Sequence, residues 1–165
     1  MRFFFLLAFT FIGFFHSLDA EEIPITLEIA QSHEQRAWGL MRRTSLPEDH
    51  GMLFYHPRQF IWMFNTWIDL SVAFLDEKGI ILEIVELQAH PEMMDPLRPV
   101  NNPDDMRKYP GNDKVIQFFV SKSWPVPSHA KYALEMNKHW FDRHGIKTGD
   151  KVIWDVSSSK GYVKK

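Results

Sequence analysis

Five residues in one short stretch have side chains suited to holding a ligand. Trp62, Met63, Asn65, Thr66 and Asp69 set an aromatic ring and a thioether beside an amide, a hydroxyl and a carboxylate. Ligand grooves have this make-up, a mostly apolar wall with a few placed polar groups. The plainer reading is a core strand ending in a turn, with Asn65 and Thr66 bonded to nearby backbone. Arg42 and Arg43 precede the stretch. They stand at the end of an expected helix, where cations favour the negative end of its dipole. They are also candidates to pair with Asp69 or to hold an anionic ligand.

Two other sets of residues suit different chemistries. A hydrolase would use Asp69 with His50 or His56 and an arginine to stabilise an anion, all within reach of one cleft. Both histidines fall at the edges of expected strands, as exposed bystanders do. A copper-handling protein would use the dense set His90, Glu92, Met93, Met94 and Asp95, because imidazole and thioether ligands suit Cu(I). Adjacent methionines in a proline-rich loop also serve simply to anchor it on a core. No H-x-x-x-H or H-E-x-x-H spacing, G-x-S-x-G elbow or glycine-rich phosphate loop is present, and the eight glycines are isolated. These residues call for no cofactor.

The elements that must position them follow from periodicity. Ile23, Ile25, Leu27 and Ile29 alternate as one face of a strand, with Pro24 placing its start at an edge or outside the ladder. Ser32 and Gln35 form a capping box that opens a short helix to about Arg42. Gly39 inside that helix implies close approach to another backbone. A strand is predicted over 51–56. Residues 60–65 are apolar on both faces, which predicts a central, covered strand. Asn65-Thr66 breaks it. Strands over 72–77 and 80–87 flank Glu77-Lys78-Gly79, a hairpin signal.

Residues 88–114 carry five prolines and no periodicity, which predicts a long loop, functional or mobile. Strands follow over 115–121 and 132–136. Asn137 is expected to cap a helix carrying Trp140, Phe141 and His144, with Gly145 as its left-handed C-terminal cap. A last strand covers 151–156, and 157–165 is expected to be a disordered tail. Many short strands with two small helices predict a mainly β, single-domain fold over 21–156, a β-sandwich or partly closed barrel.

Composition bounds the setting. Residues 3–15 are an apolar run behind Met1-Arg2, and a small residue, Ala20, follows. This is the pattern of a secretory signal peptide over 1–20, and the run is too short for an easy bilayer span of about 20 residues. The expectation is export to the periplasm or medium, with no stable membrane span after cleavage. The net charge of −2 is unchanged once Arg2 and Asp19 leave with the leader. It offers no case for nucleic acid or an anionic membrane. With no cysteine in the chain, packing alone must hold an exported fold.

Several phrases in fixed order carry a resemblance. They are Gly39-Leu-Met41 with Arg43, the run from Ser45 through Leu-Pro-Glu-Asp-His-Gly-Met-Leu to Phe54, Trp62-Met63 with Asn65-Thr66, and Phe74-Leu-Asp76. With Tyr132-Ala-Leu-Glu135 and the 144–150 segment, they resemble the family catalogued as domain of unknown function 192. The resemblance covers about residues 25–156. It implies a compact β-rich domain with short helices, often exported, and no established activity. The chain departs from the pattern at Phe64, where a lysine is usual, at Asp69, where a proline is common, and at Ser71, where an acid is. It is also longer over 88–128. The reading that results is a non-catalytic exported module. It binds an unidentified small ligand or envelope component through Arg43, Trp62, Asn65, Thr66 and Asp69, with no catalytic or metal-binding residues assigned.

Overall fold

The computed structural model describes residues 21–165. The signal peptide expected over 1–20 lies outside them. Strand β1 (Glu22–Ala30) buries Ile23, Ile25 and Leu27 and exposes the residues between, as alternation requires. The capping box then forms as expected. Gln35 N–H donates to Ser32 Oγ at 3.1 Å, and Ser32 N–H donates to Gln35 Oε1 at 2.9 Å. Helix α1 (His33–Trp38) is shorter than expected, because Gly39 at φ 52, ψ −136 turns the chain out of it. Strand β2 (His50–Tyr55) pairs parallel to β1. A parallel pair needs a crossover, and α1 with the turns after it supplies one. Pro24 lies before the β1–β2 pairing begins at Thr26, so its missing N–H interrupts nothing there.

Strand β3 is only Phe60–Ile61. Strand β4 (Leu70–Leu75) has all six residues buried, and β5 (Ile81–Leu87) returns from it through the predicted hairpin. Asp76 accepts the Lys78 and Ile80 amides in that turn, and Gly79 takes φ 81. Two 3-10 turns follow, Pro91–Met93 and Pro103–Lys108. Then come helix α2 (Lys114–Ser121), strands β6 (Trp124–Pro125) and β7 (Tyr132–Asn137), helix α3 (Trp140–Arg143), and strands β8 (Lys151–Asp155) and β9 (Lys160–Lys164).

The fold is mainly β, as expected. Seven strands form one mixed sheet in the order β5-β4-β7-β2-β1-β9-β8, and β3 and β6 form a small second one. The large sheet curls until its two edges touch at one end. There Ile80 bridges to Lys151, Ile81 N–H donates to the Asp150 carbonyl at 2.9 Å, and Val152 N–H donates to the Gly79 carbonyl at 2.8 Å. The contact is local, so the barrel is not closed. The enclosed face holds Leu53, Ala73, Leu134, Met136 and Val163, capped by Trp140 and Phe141 of α3. The other face carries Phe54, Phe64, Phe74, Tyr109 and Phe119 in a second core.

Several expectations are corrected. The strand over 60–65 is not central: after Ile61 the chain leaves the ladder, and Asn65 takes the left-handed φ of 54. Of its rings Phe64 is fully buried, Trp62 half-buried and Phe60 exposed, while the strand flanked on both edges and buried along its whole length is β4, between β5 and β7. The strand over 115–121 is α2. Asp113 caps it through the Val115 amide at 2.8 Å, and Ile116 and Phe119, three apart, face the core.

The 88–114 segment is not structureless. Val100 and Tyr109 are buried, and Arg98 joins Asp95 at 2.7 Å to Asp113 at 2.5 Å. Asn137 ends β7 rather than capping α3, and its amide donates to the Leu46 and Pro47 carbonyls. Residues 157–165 are not a disordered tail, because β9 lies between β1 and β8 with Val163 fully buried. Gly161 permits that pairing, since a Cβ there would stand 2.6 Å from the Ile153 carbonyl oxygen.

Candidate functional site

A pocket of about 660 Å³ opens on the outer face of the sheet, roofed by α1 and the residues just after it. Gly39 lets this roof come close: a Cβ there would stand 3.2 Å from the Phe54 ring, in a backbone conformation that L side chains rarely adopt. Trp38, Phe54, Phe60, Trp62 and Phe64 supply aromatic walls, and Met41 and Met106 fill between them. The Trp62 and Phe64 rings stack with centroids 5.1 Å apart and planes 24° off parallel. Exposed Arg58 and Gln59 and half-buried Arg36 bring polar groups to the rim.

The floor carries Glu135. It lies at the centre of β7, paired with Met52 of β2 on one side and Val72 of β4 on the other. It is 6% exposed, and its carboxyl has no hydrogen-bond or charge partner among the described residues. Burial alone pushes its pKa up to about 8, because a low-dielectric site disfavours the charged form. In neutral solution the floor of the pocket is therefore mainly an uncharged carboxylic acid. At the rim, the Arg36 Nε–H is buried without a partner among the described residues, while Arg36 Nη1 donates to the Gln31 carbonyl. Arg58 reaches the His33 ring at 2.7 Å.

Fold and pocket can be set beside known proteins. Residues 16–154 match the family model described as "DUF192: Uncharacterized ACR". The chain belongs to the DUF192 family. Two solved structures resemble this DUF192 domain. One is a protein of unknown function from Novosphingobium aromaticivorans DSM 12444, 24% identical, with a TM-score of 0.55 over 89% of this chain and 94% of that one. The other, from Sinorhizobium meliloti 1021, is provisionally named a transcription regulator. It is 23% identical, with a TM-score of 0.54 over 81% of this chain and 94% of that one. At these identities the likeness is one of fold. No curated protein matches.

The DUF192 domain divides the residues expected to form one site. Trp62 and Thr66 line the pocket. Asn65, between them in sequence, turns away: its Nδ2 donates to the Val100 carbonyl at 3.0 Å, and its Oδ1 accepts from Trp67 Nε1 at 3.2 Å. It lines a second, smaller hollow of about 400 Å³ with Arg42, Trp67 and Met94. Arg43 is taken up by Glu28 of β1 at 2.6 Å. Asp69 lines neither hollow. One of its oxygens accepts the Ala89 amide at 2.7 Å and the other the Lys138 ammonium at 2.9 Å. Partial burial opposes its ionisation, but the Ala89 amide, Lys138 and the more distant His90 outweigh that and hold its carboxyl below the usual range.

The other two constellations do not assemble either. His50 and His56 are exposed at the two ends of β2, and neither bonds Asp69. His90 pairs with Glu92 at 3.0 Å and sets its ring edge-on to Phe118. Met94 packs on the outer core and anchors the loop, while Met93 is exposed. Among the described residues no three His, Asp or Glu side chains gather as metal ligands.

Glu135, Arg36, Arg58, Trp38, Phe54 and Met106 were missed as site residues. For Glu135 a signal existed in the alternation of Tyr132–Asn137, which puts it on the face of Ala133. Alternation alone leaves that face free to be solvent. Only the place of β7 between β4 and β2, and the cover above it, buries the carboxyl.

Proposed function

We propose that this DUF192 domain is a non-catalytic binding module that takes a small ligand with an apolar or aromatic body into the pocket above Glu135. The observation that carries the reading is the combination of an aromatic enclosure with a largely buried carboxyl at its floor that is unpartnered among the described residues. Small-molecule sites combine these features. Acid–base or nucleophilic catalysis generally needs a second group near the first. Glu135 shares the pocket with no histidine, serine or second carboxylate among the described residues, and the Thr66 hydroxyl there donates to the Phe64 carbonyl at 3.5 Å. The apolar leader over 3–15 supports action outside the cytoplasm. The net charge of −2 gives no support to carrying over a transcriptional role from the structural neighbour.

The test is a thermal-shift screen of the purified protein against small aromatic and aliphatic compounds. A ligand at a hundred times its Kd stabilises by about 2.7 kcal/mol. Ala37 also lines the pocket, so Ala37→Phe, which fills it, should remove the shift. Absence of any shift, or shifts that survive Ala37→Phe, would reject the reading.

A further inference from the structure

We propose that the ligand of this pocket carries an organic ammonium group, received by the Glu135 carboxylate between aromatic faces. This rests on the binding reading above and narrows its chemistry. Glu135 is 6% exposed and lacks a partner among the described residues, yet it lines the pocket. A largely buried carboxyl without a protein partner is poorly solvated in the empty protein, and that is a penalty. A ligand that completes it removes the penalty on binding, and a cation completes it best.

The walls favour the same ligand. Aromatic faces attract cations through their quadrupoles, most strongly where water is excluded. Trp62 and Phe64 present a stacked pair to the pocket. Phe54 stands on the face of Glu135, two positions from its partner Met52 on the neighbouring strand, a diagonal spacing of about 7–8 Å.

The protein's own cations do not take this role. Arg36 from α1 turns an Nη to the Gln31 carbonyl, and Arg58 from the 57–59 turn reaches His33. Neither forms an ion pair with Glu135. The elements directly against it, β2 and β4, present Met52 and Val72. The arrangement of carboxyl at the floor and guanidinium groups at the rim orients a ligand with its ammonium inward.

Proton balance makes the inference measurable. Burial raises Glu135 to about 8, so the free protein holds a proton there near neutrality, and ammonium binding releases it. The carboxylate fraction rises about 50-fold between pH 6 and pH 8, and the apparent affinity for an ammonium rises with it.

The probes are phenethylammonium and its neutral counterpart 2-phenylethanol, titrated calorimetrically into the purified protein at pH 6 and 8, in two buffers of different ionisation enthalpy. The expected result is tighter ammonium binding at pH 8 than at pH 6, with proton release at the lower pH and no such change for the alcohol. In Glu135→Gln the ratio of ammonium to alcohol affinity should fall about 30-fold or more. Equal affinity for the two probes at pH 8, or an unchanged ratio in Glu135→Gln, would overturn the inference while leaving the binding reading intact. Failure of both probes to bind at either pH would overturn both.

Discussion

Asn65 donates its side-chain amide to the Val100 carbonyl across 3.0 Å, tying the loop that walls the pocket to the proline-rich segment 35 residues later. Both residues are buried. Asn65→Ala would leave the Val100 carbonyl without its donor and set an alanine at φ 54. An unsatisfied buried acceptor costs about 1–3 kcal/mol, and the left-handed backbone about 1–2 kcal/mol more for most residues. Asn65→Gly carries only the first penalty, because glycine adopts the left-handed backbone freely. Denaturant melts should rank wild type above the glycine variant and the glycine variant above the alanine variant.

Glu135 links stability to pH. Its pKa rises from the ordinary 4.5 to about 8 on folding. Between those values the folded protein holds a proton that the unfolded chain has lost, so stability falls as pH rises through that window. Each pKa unit is worth about 1.4 kcal/mol, so the full loss approaches 5 kcal/mol. Glu135→Gln keeps the shape and cannot ionise. Urea melts from pH 4 to pH 8.5 should show wild type losing stability with pH relative to the variant, and parallel curves would refute the assignment.

Trp62 and Phe74 should behave differently. Trp62 is half-buried at a pocket wall, whereas Phe74 lies on central β4 with no exposure. Phe74→Ala should cost about 3–5 kcal/mol, as full core truncations do. Trp62→Ala should cost less, roughly 1–3 kcal/mol including its stacking on Phe64, and should weaken ligand binding. Equal losses of stability would contradict the loop placement of Trp62.

Asp69 is tied to structure rather than to the pocket. Asp69→Asn keeps an acceptor for the Ala89 amide and loses the ion pair with Lys138, in which both side chains are more than a third exposed. Such pairs contribute about 0.2–1 kcal/mol. With the folded pKa below the ordinary 3.8, that contribution is present above pH 3.8 and fades as pH falls through the folded value. Ligand affinity in the Asp69→Asn protein should equal wild type, as a titration at pH 7 would check.

Removal of residues 157–165 should abolish cooperative unfolding. The cut deletes β9, which joins β1 to β8 and buries Val163, and it leaves two unpaired strand edges. A truncated protein with a sharp thermal transition would show that β9 is dispensable.

Local chemistry decided a definite part of this protein in advance. The β1 alternation, the Ser32–Gln35 capping box, the turn at Gly79 and the left-handed breaks at Asn65 and Gly145 depend on neighbouring residues alone, and each was readable from sequence. The ordered phrases carried the family. Where neighbours were ambiguous, reading failed. The 60–65 run and the α2 segment are short and apolar, and short apolar runs look alike as strand, helix or wall. The Asp113 cap before α2 was the overlooked local signal. At 157–165 a polar, glycine-containing segment was made into a strand by two partners waiting on either side.

The site belongs to the tertiary structure. A glutamate in an alternating strand faces water or core according to what lies above it, and no local rule chooses. Residues from α1, from Phe54, from the 57–66 loop and from Met106 converge over Glu135 only because β7 is central and the crossover after β1 folds back across that face. Burial, and with it the protonation state of Glu135, was decided by long-range packing.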